Sequence, residues 1–480
     1  MASERPTRTE RDSMGPMEVP ADAYYGASTQ RAVLNFPISG LRFGRPFIRM
    51  LGLIKGAAAR VNLELGLLDK RLAEAIVQAA REVVDGTLDD QFGVDIFQTG
   101  SGTSTNTNAN EVIANRATEL LGGERGAKLV HPNDHVNLGQ SSNDVIPTAI
   151  HLAALEGIER RLIPALEGLQ AALKAKSQEF WDVVKTGRTH LQDATPIRLG
   201  QEFLGYAGQV ERATRRLRRA QEELSEVALG GTAVGTGVNA HERFAGAVCE
   251  RLAEELGLPV RETARHFQAQ STLDTVLAAS GAVRAAAVSL QKIANDLRWL
   301  ASGPRAGLGE LVLPEVQPGS SIMPGKVNPV IAESVVQVVC QVIGNDASVA
   351  AAAQGGYLEL NTYWPVAGYN LHEAIVLLAS ATANFDAQCL AGITATATGP
   401  ESVERGLMMA TGLSPAIGYD KATAIAKEAA AKGLTIREVA KSTSGLTDEQ
   451  LDVLLDPERM TAPFSDDQPP PGDQPARPGA

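Results

Sequence analysis

The chain has 480 residues, of which 44% are hydrophobic, so it is long and apolar enough to bury large cores. Its formal net charge of −12 and its aromatic content of 4% argue against a nucleic-acid-binding surface. No uninterrupted apolar run is long enough to span a membrane, and the N-terminus lacks the hydrophobic core of a signal peptide. We therefore expect a cytoplasmic protein that binds neither nucleic acid nor a membrane.

The two ends of the chain differ in composition from its middle. Residues 1–20 are polar and charged, and residues 461–480 are rich in Pro, Asp and Gln without periodicity. Such segments bury little apolar surface, so we predict a mobile N-terminal tail and a disordered Pro-rich C-terminal tail. The cysteines are widely spaced, fit neither a metal pattern nor a disulfide framework, and are predicted to be buried or inert thiols: Cys249, Cys340 and Cys389.

A first polar cluster, QTGSGTSTNTNANEVIANR, covers residues 98–116 and leads into a predicted helix. Ser101, Thr103 and Asn106 supply hydroxyl and amide groups that are able to hydrogen-bond a carboxylate. The same residue types also cap helices, so both interpretations stay open. The GxxxxGK[ST] pattern of a phosphate-binding loop is missing, and we do not expect a nucleotide.

A second cluster, HPNDHVNLGQSSNDVIPTA, covers residues 131–149. His131 and His135 have the spacing of a metal-binding pair, but Pro132 argues against a helix between them and a third ligand is not obvious. The segment SSND offers small hydrogen-bond donors for a carboxylate, from Ser141, Ser142 and Asn143. Helix capping at or near Asp144 is the alternative.

A third cluster, GRTHLQDATP, covers residues 187–196. Thr189 and His190 are predicted to lie in a turn before a long helix. A histidine titrates near neutral pH when a carboxylate orients it, although a lone histidine more often has a structural role.

Long helical patterns dominate the middle of the chain, and Pro or Gly marks most of their boundaries. The fourth pattern is unusual, because between Val327 and Leu358 the only charged residues are Glu333 and Asp346. A helix without a charged face is expected to be buried. Strand signals are few, so the sequence predicts an all-α bundle. The five patterns cover approximately Pro147–Phe180, Pro196–Leu229, Ala269–Ser302, Pro329–Gln354 and Pro365–Leu390.

The loop GSSIMPGKVNP, residues 319–329, combines two serines, a lysine and a helix start. Asn328 and Pro329 are predicted to be the N-cap and the first residue of the next helix, which places Lys326 beside free backbone N–H groups. A carboxylate is expected to bind well there. An ordinary Gly/Pro loop between two helices is the alternative.

This loop resembles the signature loop of the fumarase/aspartase superfamily, and the resemblance extends from about Arg11 to Phe464. It implies an all-α lyase with a central long five-helix bundle at residues 147–391, between a smaller N-terminal domain at 21–146 and a C-terminal domain at 392–460. It also implies a homotetramer whose helices form a common core and whose active sites are shared between subunits. A large monomer with one central buried helix is the alternative.

The resemblance also implies roles for individual residues. Ser320 would be the catalytic base, Lys326 and Asn328 would stabilise the dianionic intermediate, and His190, oriented by Glu333, would act on water or on the leaving group. Neither a metal nor an organic cofactor is expected. The small-molecule dicarboxylate substrate would contact Ser101, Thr103, Asn106, Ser141, Ser142, Asn143, Thr189, Ser321, Lys326 and Asn328. A secondary anion site would comprise Lys128, His131, Asn133 and Asp134.

Within the superfamily, MPGKVNP, SSND and the histidine of GRTHLQDATP resemble the fumarases more than the aspartases. The segment GTSTN departs from that pattern, because fumarases frequently carry Gln-Ser or Ser-Ser at the positions of Ser104 and Thr105. The resemblance therefore implies reversible hydration of fumarate to (S)-malate, as in the tricarboxylic acid cycle. Release of ammonia from aspartate is the alternative, and a catalytically silent helical scaffold is a third reading.

Overall fold

The computed structural model describes residues 6–463, and most of these residues lie in helices, which confirms the predicted all-α fold class. The predicted C-terminal tail lies outside the described residues from position 464 onward. The helices are α1 (Ala27–Asn35), α2 (Arg45–Glu64), α3 (Lys70–Asp85), α4 (Thr103–Leu120), α5 (Ser142–Gly157), α6 (Ile163–Glu179), α7 (Leu199–Leu224), α8 (Phe244–Leu256), α9 (His266–Ser271), α10 (Asp274–Leu300), α11 (Val330–Ala353), α12 (Trp364–Gln388), α13 (Thr398–Val403), α14 (Ser414–Ile417), α15 (Tyr419–Lys432), α16 (Ile436–Thr443) and α17 (Asp448–Leu454).

The strands are short and associate only in pairs within the described part of the chain. The pairs are β1 (Thr7–Asp12) with β2 (Gly15–Pro20), β3 (Val184–Thr189) with β4 (Gln192–Arg198), β5 (Glu226–Val227) with β6 (Arg261–Glu262), β7 (Leu311–Val312) with β10 (Thr394–Ala395), and β8 (Gly356–Tyr357) with β9 (Leu360–Asn361).

The predicted N-terminal tail is wrong for residues 7–20, which form the β1–β2 hairpin. Arg8 belongs to β1, and its guanidinium donates to the carbonyl oxygens of Pro20 and Ala23 at 2.8 and 2.7 Å. Glu10 is buried and pairs with Arg8. The charged residues that suggested a tail therefore fasten this segment, because backbone carbonyls and a carboxylate satisfy the guanidinium donors.

The long helices match the predicted patterns, with shifted ends. The helix predicted from Pro196 begins at Leu199, because residues 192–198 pair with β3 instead. The helix predicted from Ala269 is interrupted between α9 and α10. The helix predicted from Pro147 begins at Ser142 and continues into α6 through a π-helical turn at Ile158–Leu162.

The described chain folds as two compact units. Unit 1 comprises Met1–Ala165, Ala213–Val288 and Gln337–Ala381, and unit 2 comprises Leu166–Arg212, Ser289–Val336 and Thr382–Ala480. The unit boundaries fall inside α6, α7, α10, α11 and α12. The division into N-terminal, central and C-terminal domains stays a prediction.

In unit 1, α2 packs closely against α3. A Cβ atom at Gly52 would lie 3.0 Å from the carbonyl oxygen of Ala80, so the absence of a side chain allows this approach. Helix α3 begins where the Asp69 carboxylate accepts the backbone N–H of Arg71 and ends at Gly86, which has φ 88°. In unit 2, α15, α16 and α17 share an apolar core formed by residues such as Leu413, Ile425, Ile436 and Leu451.

Helix α11 is buried on one face only, so the prediction of a fully buried helix is wrong for a single chain. Its inner face includes Val339, Val342 and Val349. The outer face of its unit 1 part is exposed yet carries no charge; this uncharged stripe consists of Gln337, Cys340, Gln341, Gly344, Ala347 and Ala351. The spacing of three and four residues places the stripe on one side of the helix. The exposed Cys340 also differs from the buried Cys249 and Cys389.

Among residues 6–463, three segments are long and apolar enough to cross a membrane, judged by length and composition only: Asp274–Leu300, Val330–Ala353 and Trp364–Gly392. They have mean hydropathies of 1.2 to 1.3, although polar residues interrupt each apolar run. Within the chain, 39 to 44% of each apolar window is buried. A large apolar surface on these helices is therefore left for further contacts.

His372 on α12 provides a test of the packing in unit 1. Its Nε2 atom lies 3.0 Å from the carbonyl oxygen of Ile150, and burial lowers the pKa of its imidazole to about 4. In the unfolded chain the imidazole of His372 takes up a proton at about pH 6.5, whereas in the folded chain it does so only at about pH 4. The contribution of His372 to stability should therefore be fully present above pH 6.5 and should be lost as the pH falls toward 4.

We predict that His372→Gln, which keeps an N–H donor for Ile150, flattens the slope of unfolding free energy against pH between about 4 and 6.5. Urea titrations at a fixed protein concentration measure this slope. The control is His241→Gln, because His241 accepts a hydrogen bond from Arg243 in a surface turn. An unchanged slope in the His372 variant would contradict the prediction.

Candidate active site

The starts of α4 and α5 meet in unit 1 and bring together hydroxyl groups of the first two polar clusters. The Oγ1 atom of Thr103 lies 2.6 Å from the Oγ of Ser101 and 2.7 Å from the Oγ of Ser142. Gly102, with φ 74°, permits this meeting, because a Cβ atom there would lie 2.9 Å from the side chain of Ile146. Two helix N-termini thus lie close to one cluster of hydroxyl groups, and the positive ends of their dipoles suit an anion.

Ser141 caps α5, as the capping alternative anticipated. Its hydroxyl oxygen accepts the N–H of Asn143, and the Asp144 carboxylate accepts the N–H of Ser141 at 2.9 Å in a capping box. The Ser141 hydroxyl proton is still able to contact a ligand. Asn143 donates its side-chain amide to the carbonyl oxygen of Ala233 at 2.8 Å, which fixes its orientation.

Asn106 lies one turn after Thr103 on α4 and is almost fully buried. Its Nδ2 atom donates to the Oδ1 of Asn137 at 3.2 Å. Its own Oδ1 has no hydrogen-bond partner among residues 6–463. A buried amide oxygen without a partner is unfavourable, so this residue is a strong candidate for contact with a ligand or a water molecule.

Sequence reasoning missed two buried charges near this cluster. Asp144 accepts the backbone N–H groups of Gly230 and Thr232 at 3.1 and 2.9 Å, and burial raises the pKa of its carboxyl to about 6 against these hydrogen bonds. Lys55 on α2 donates to the side chains of Asn137 and Gln140, shortly before α5. Burial lowers the pKa of its ammonium to about 7. The available signal was the lone lysine in the apolar run MLGLIKGAAARV.

The residues of the predicted secondary anion site lie around a π-helical turn at Pro132–Val136. His131 caps this turn, because its Nδ1 accepts the N–H groups of Asn133 and Asp134 at 3.3 and 3.1 Å. In both hydrogen bonds the His131 Nδ1 atom binds a backbone N–H group rather than a metal. A cavity of about 800 Å³ beside the turn is lined by residues that include Arg11, Lys128, His131 and Asn133. Among residues 6–463, no group of three metal-ligating side chains is assembled.

In unit 2, Thr189 and His190 lie at the tip of the β3–β4 hairpin rather than directly before a helix. His190 and Leu191 have φ values of 57° and 58°, so both central residues of the turn are left-handed. A two-residue hairpin turn requires this geometry, which glycine or asparagine usually supplies. The hairpin thus holds His190 in a strained backbone conformation, with its side chain exposed to solvent.

The signature loop is closed at its base and exposed at its tip. The Asn328 side chain donates to the carbonyl oxygen of Gly319, and a Cβ atom at Gly319 would lie 2.0 Å from the carbonyl oxygen of Lys326. Asn328 is therefore not the predicted N-cap: the first helical hydrogen bond of α11 is accepted by Pro329, from Glu333. The side chain of Asn328 closes the loop instead.

Ser320 is oriented within this loop by backbone N–H groups. Its Oγ accepts from Met323 at 2.9 Å and from Ile322 at 3.3 Å. Lys326 is exposed, and its ammonium has no hydrogen bond or ion pair to any described residue. The loop therefore carries both an exposed lysine and a serine oxygen that receives two N–H donors.

His190 and Glu333 are not paired in a single chain. Neither side chain has a hydrogen bond or an ion pair within the described range 6–463. Glu333 is partly exposed rather than buried. The expected pairing of these two residues is thus absent from one subunit, and a pairing between subunits stays a prediction.

A buried ion-pair network supports both the His190 hairpin and the strand that leads to the signature loop. Glu310, which directly precedes β7, is 3% exposed and accepts Arg188 of β3 at 2.6 Å and Lys185 of β3 at 2.9 Å. Lys185 is 1% exposed and also contacts Glu202 at 3.1 Å. Two cations and two carboxylates thus join the hairpin to the start of β7 and to Glu202 of α7.

Residues 15–344 match the protein family described as Lyase, and residues 409–462 match the fumarase C C-terminus. A class II fumarate hydratase from Halobacterium salinarum is 57% identical over 455 residues, covering 95% of this chain and 97% of the relative. A second such enzyme, from Bradyrhizobium diazoefficiens, is 53% identical over 95% of this chain and 97% of its own length. A crystal structure of class II fumarase from Schistosoma mansoni superposes with a TM-score of 0.94 at 38% identity, covering 96% of this chain and all of that one.

We predict that Glu310→Gln lowers the free energy of unfolding by about 3 kcal/mol, because it leaves the buried Lys185 and the partly buried Arg188 with too little negative charge. Thermal or urea unfolding at a fixed protein concentration measures the loss. Glu401→Gln removes an exposed carboxylate from the nearby α13 and should change stability by less than about 0.5 kcal/mol. Equal stability of the two variants would show that the network does not hold this region.

Proposed function

Because the chain belongs to the lyase family with a fumarase C-terminus, we propose that it catalyses the reversible hydration of fumarate to (S)-malate, a reaction of the tricarboxylic acid cycle. The observation that carries this proposal is the similarity over 95% of the chain, at up to 57% identity, to class II fumarate hydratases. The polar groups described above suit a small dicarboxylate.

The cluster at the starts of α4 and α5 would bind one substrate carboxylate with neutral donors. Ser101, Thr103 and Ser142 supply connected hydroxyls, and Asn106 supplies a buried amide. Hydroxyl protons are free to turn toward a carboxylate, and the helix N-termini add a favourable field. Ser141, Asn143 and Thr189 complete the proposed binding set together with Ser321.

Ser320 is proposed as the base that removes the C3 proton of malate. The two backbone N–H groups that its Oγ accepts would stabilise negative charge on that oxygen and make the hydroxyl more acidic. As the proton leaves C3, charge develops on the adjacent carboxylate, and Lys326 would stabilise it. Asn328 holds the loop closed around this position.

His190 would act on the opposite face, where it donates a proton to the hydroxide that leaves C2. In the reverse direction it would accept a proton from water as the water adds to fumarate. Glu333 would orient the imidazole from another subunit, since neither residue has a partner in one chain. The proposed mechanism requires no metal ion or organic cofactor.

The segment GTSTN does not favour an aspartase. Ser104 lies 3.0 Å from the hydroxyl of Thr99, and Thr105 is buried and bonded to Gln98 at 2.7 Å. Both residues therefore fasten the start of α4, and neither joins the hydroxyl chain of Thr103 and Ser142. The pocket wall of unit 1 thus offers neutral donors, which suit a leaving hydroxyl better than an ammonium.

We propose that the chain forms a homotetramer in which active sites are shared between subunits. The uncharged stripe of α11 is exposed in the single chain, and a copy of the same helix would cover it. The apolar surfaces of α10 and α12 would be used in the same way rather than for lipid contact, and the proposed site of action is the cytoplasm. The cavity beside Lys128 and His131 would be the secondary anion site, with Asn133 and Asp134.

We predict that the purified protein interconverts (S)-malate and fumarate after treatment with a chelator and releases little or no ammonia from aspartate. Fumarate absorbance with each substrate, at equal enzyme concentration, measures this directly. Ser320→Ala is the control and should lower turnover by roughly 10²-fold to 10⁴-fold without unfolding the protein. Faster formation of fumarate from aspartate than from malate would refute the assignment.

A further inference from the structure

Lys55 is a fully buried lysine in the middle of α2. Its Nζ donates to the Oδ1 of Asn137 at 2.8 Å and to the Oε1 of Gln140 at 3.0 Å. Neither acceptor carries a charge. Burying an ammonium among neutral groups is costly, and a chain that needed only hydrogen bonds here would be served by an uncharged side chain.

The negative charge that acts on Lys55 is that of Asp144, which raises the lysine pKa against the larger effect of burial. No ion pair joins the two within the described part of the chain. Asp144 is occupied by the backbone N–H groups of Ser141, Gly230 and Thr232. The positive charge of Lys55 is therefore only partly compensated by the protein itself.

Lys55 is connected to the proposed substrate pocket through two amides. The Oδ1 of Asn137 accepts both Lys55 and the Nδ2 of Asn106. Because an ammonium can only donate, it fixes the Asn137 amide with its oxygen toward Lys55. Asn106 must then present its NH₂ group to Asn137, which leaves its carbonyl oxygen and one N–H to face elsewhere.

The second partner of Lys55 leads to the same pocket by another route. Gln140 directly precedes Ser141, the N-cap of α5. Its amide nitrogen donates to the carbonyl oxygens of Val136 and Leu138 at 3.1 and 3.3 Å, so its oxygen is left for Lys55. Lys55 thus sits behind both helix starts that supply the neutral donors.

We propose that Lys55 is a positioning residue for the substrate: it sets the orientation of Asn106 through Asn137 and supplies the positive field that makes the pocket select dianions over monoanions. This inference rests on the proposed function. The hydroxyl and amide groups of Ser101, Thr103, Ser142 and Asn106 are neutral, so a partly compensated positive charge behind them adds attraction without placing a charge beside the reacting atoms.

A purely structural role for Lys55 predicts different kinetics. If the lysine only anchors the segment 136–140, its loss should act like the loss of any other anchor of that segment. Asn62 is such an anchor, because it is buried on α2 and its Nδ2 donates to the carbonyl oxygen of Leu138 at 3.0 Å. Asn62→Ala is therefore the matched control.

The experiment measures KM and kcat for fumarate, and inhibition constants for succinate, a dianion, and crotonate, a monoanion. For Lys55→Met we expect the KM for fumarate and the inhibition constant of succinate to rise by roughly 10-fold or more, with crotonate changed less than about threefold. The kcat should fall by a smaller factor than KM rises. Asn62→Ala should show neither the rise in KM nor the selectivity for dianions.

Asn137→Asp provides a second variant in case Lys55→Met does not fold. It places a carboxylate of similar size against Lys55 and should cancel the field, so KM and the succinate constant should rise again. It also removes the hydrogen bond from the Nδ2 of Asn137 to the carbonyl oxygen of Gln140. Unchanged constants in the folded variants, or equal effects on succinate and crotonate, would overturn the proposal. If the wild-type protein converts neither malate nor fumarate, the proposed function fails instead, and succinate binding by calorimetry still decides the role of Lys55.

Discussion

The uncharged stripe of α11 is the constraint on which the rest of the account depends. The outer face of this helix carries uncharged residues such as Gln341, Gly344 and Ala347, so it lacks the favourable hydration of a charged face. No other segment within residues 6–463 covers this face. Small side chains permit another helix to approach closely. The side chains of His190, Lys326 and Glu333 likewise have no hydrogen bond or ion pair to any residue between 6 and 463. The uncovered stripe and these unpaired side chains both support the proposed homotetramer.

Binding of a dianion by a chain with a net charge of −12 requires local arrangement rather than overall charge. The helix N-termini, hydroxyls and buried Lys55 of unit 1 are proposed to act on the substrate, as is Lys326 on an exposed loop of unit 2. The buried pairs around Glu310 have a different role, since they connect the hairpin that carries His190 to the start of β7. The charges proposed to act on the substrate are thus less completely paired than the charges that hold the scaffold.

The sequence predicted the helices because their apolar spacing is long and regular, and it predicted the polar clusters because their residue types are unusual. It missed the β1–β2 hairpin, because the charges of Arg8 and Glu10 resemble those of a solvated tail and their partners are distant in sequence. It misplaced the start of α7, because proline often begins a helix, whereas Pro196 lies in β4. It also assigned Asn328 to capping, although the side chain closes the loop onto Gly319, a contact that depends on loop shape rather than on spacing. Lys55 was missed although it is the lone lysine in an apolar run, because its partners Asn137 and Gln140 are distant in sequence.

The most direct test of the shared active site is to mix chains that carry only Ser320→Ala with chains that carry only His190→Asn, and to let them reassemble. If the serine and the histidine of one site come from different subunits, random mixing restores both groups in about a quarter of the sites. The account predicts that malate-to-fumarate turnover in verified mixed oligomers rises well above that of either variant alone. Turnover that stays at the level of the separate variants would show that each chain uses its own serine and histidine, and would contradict the account.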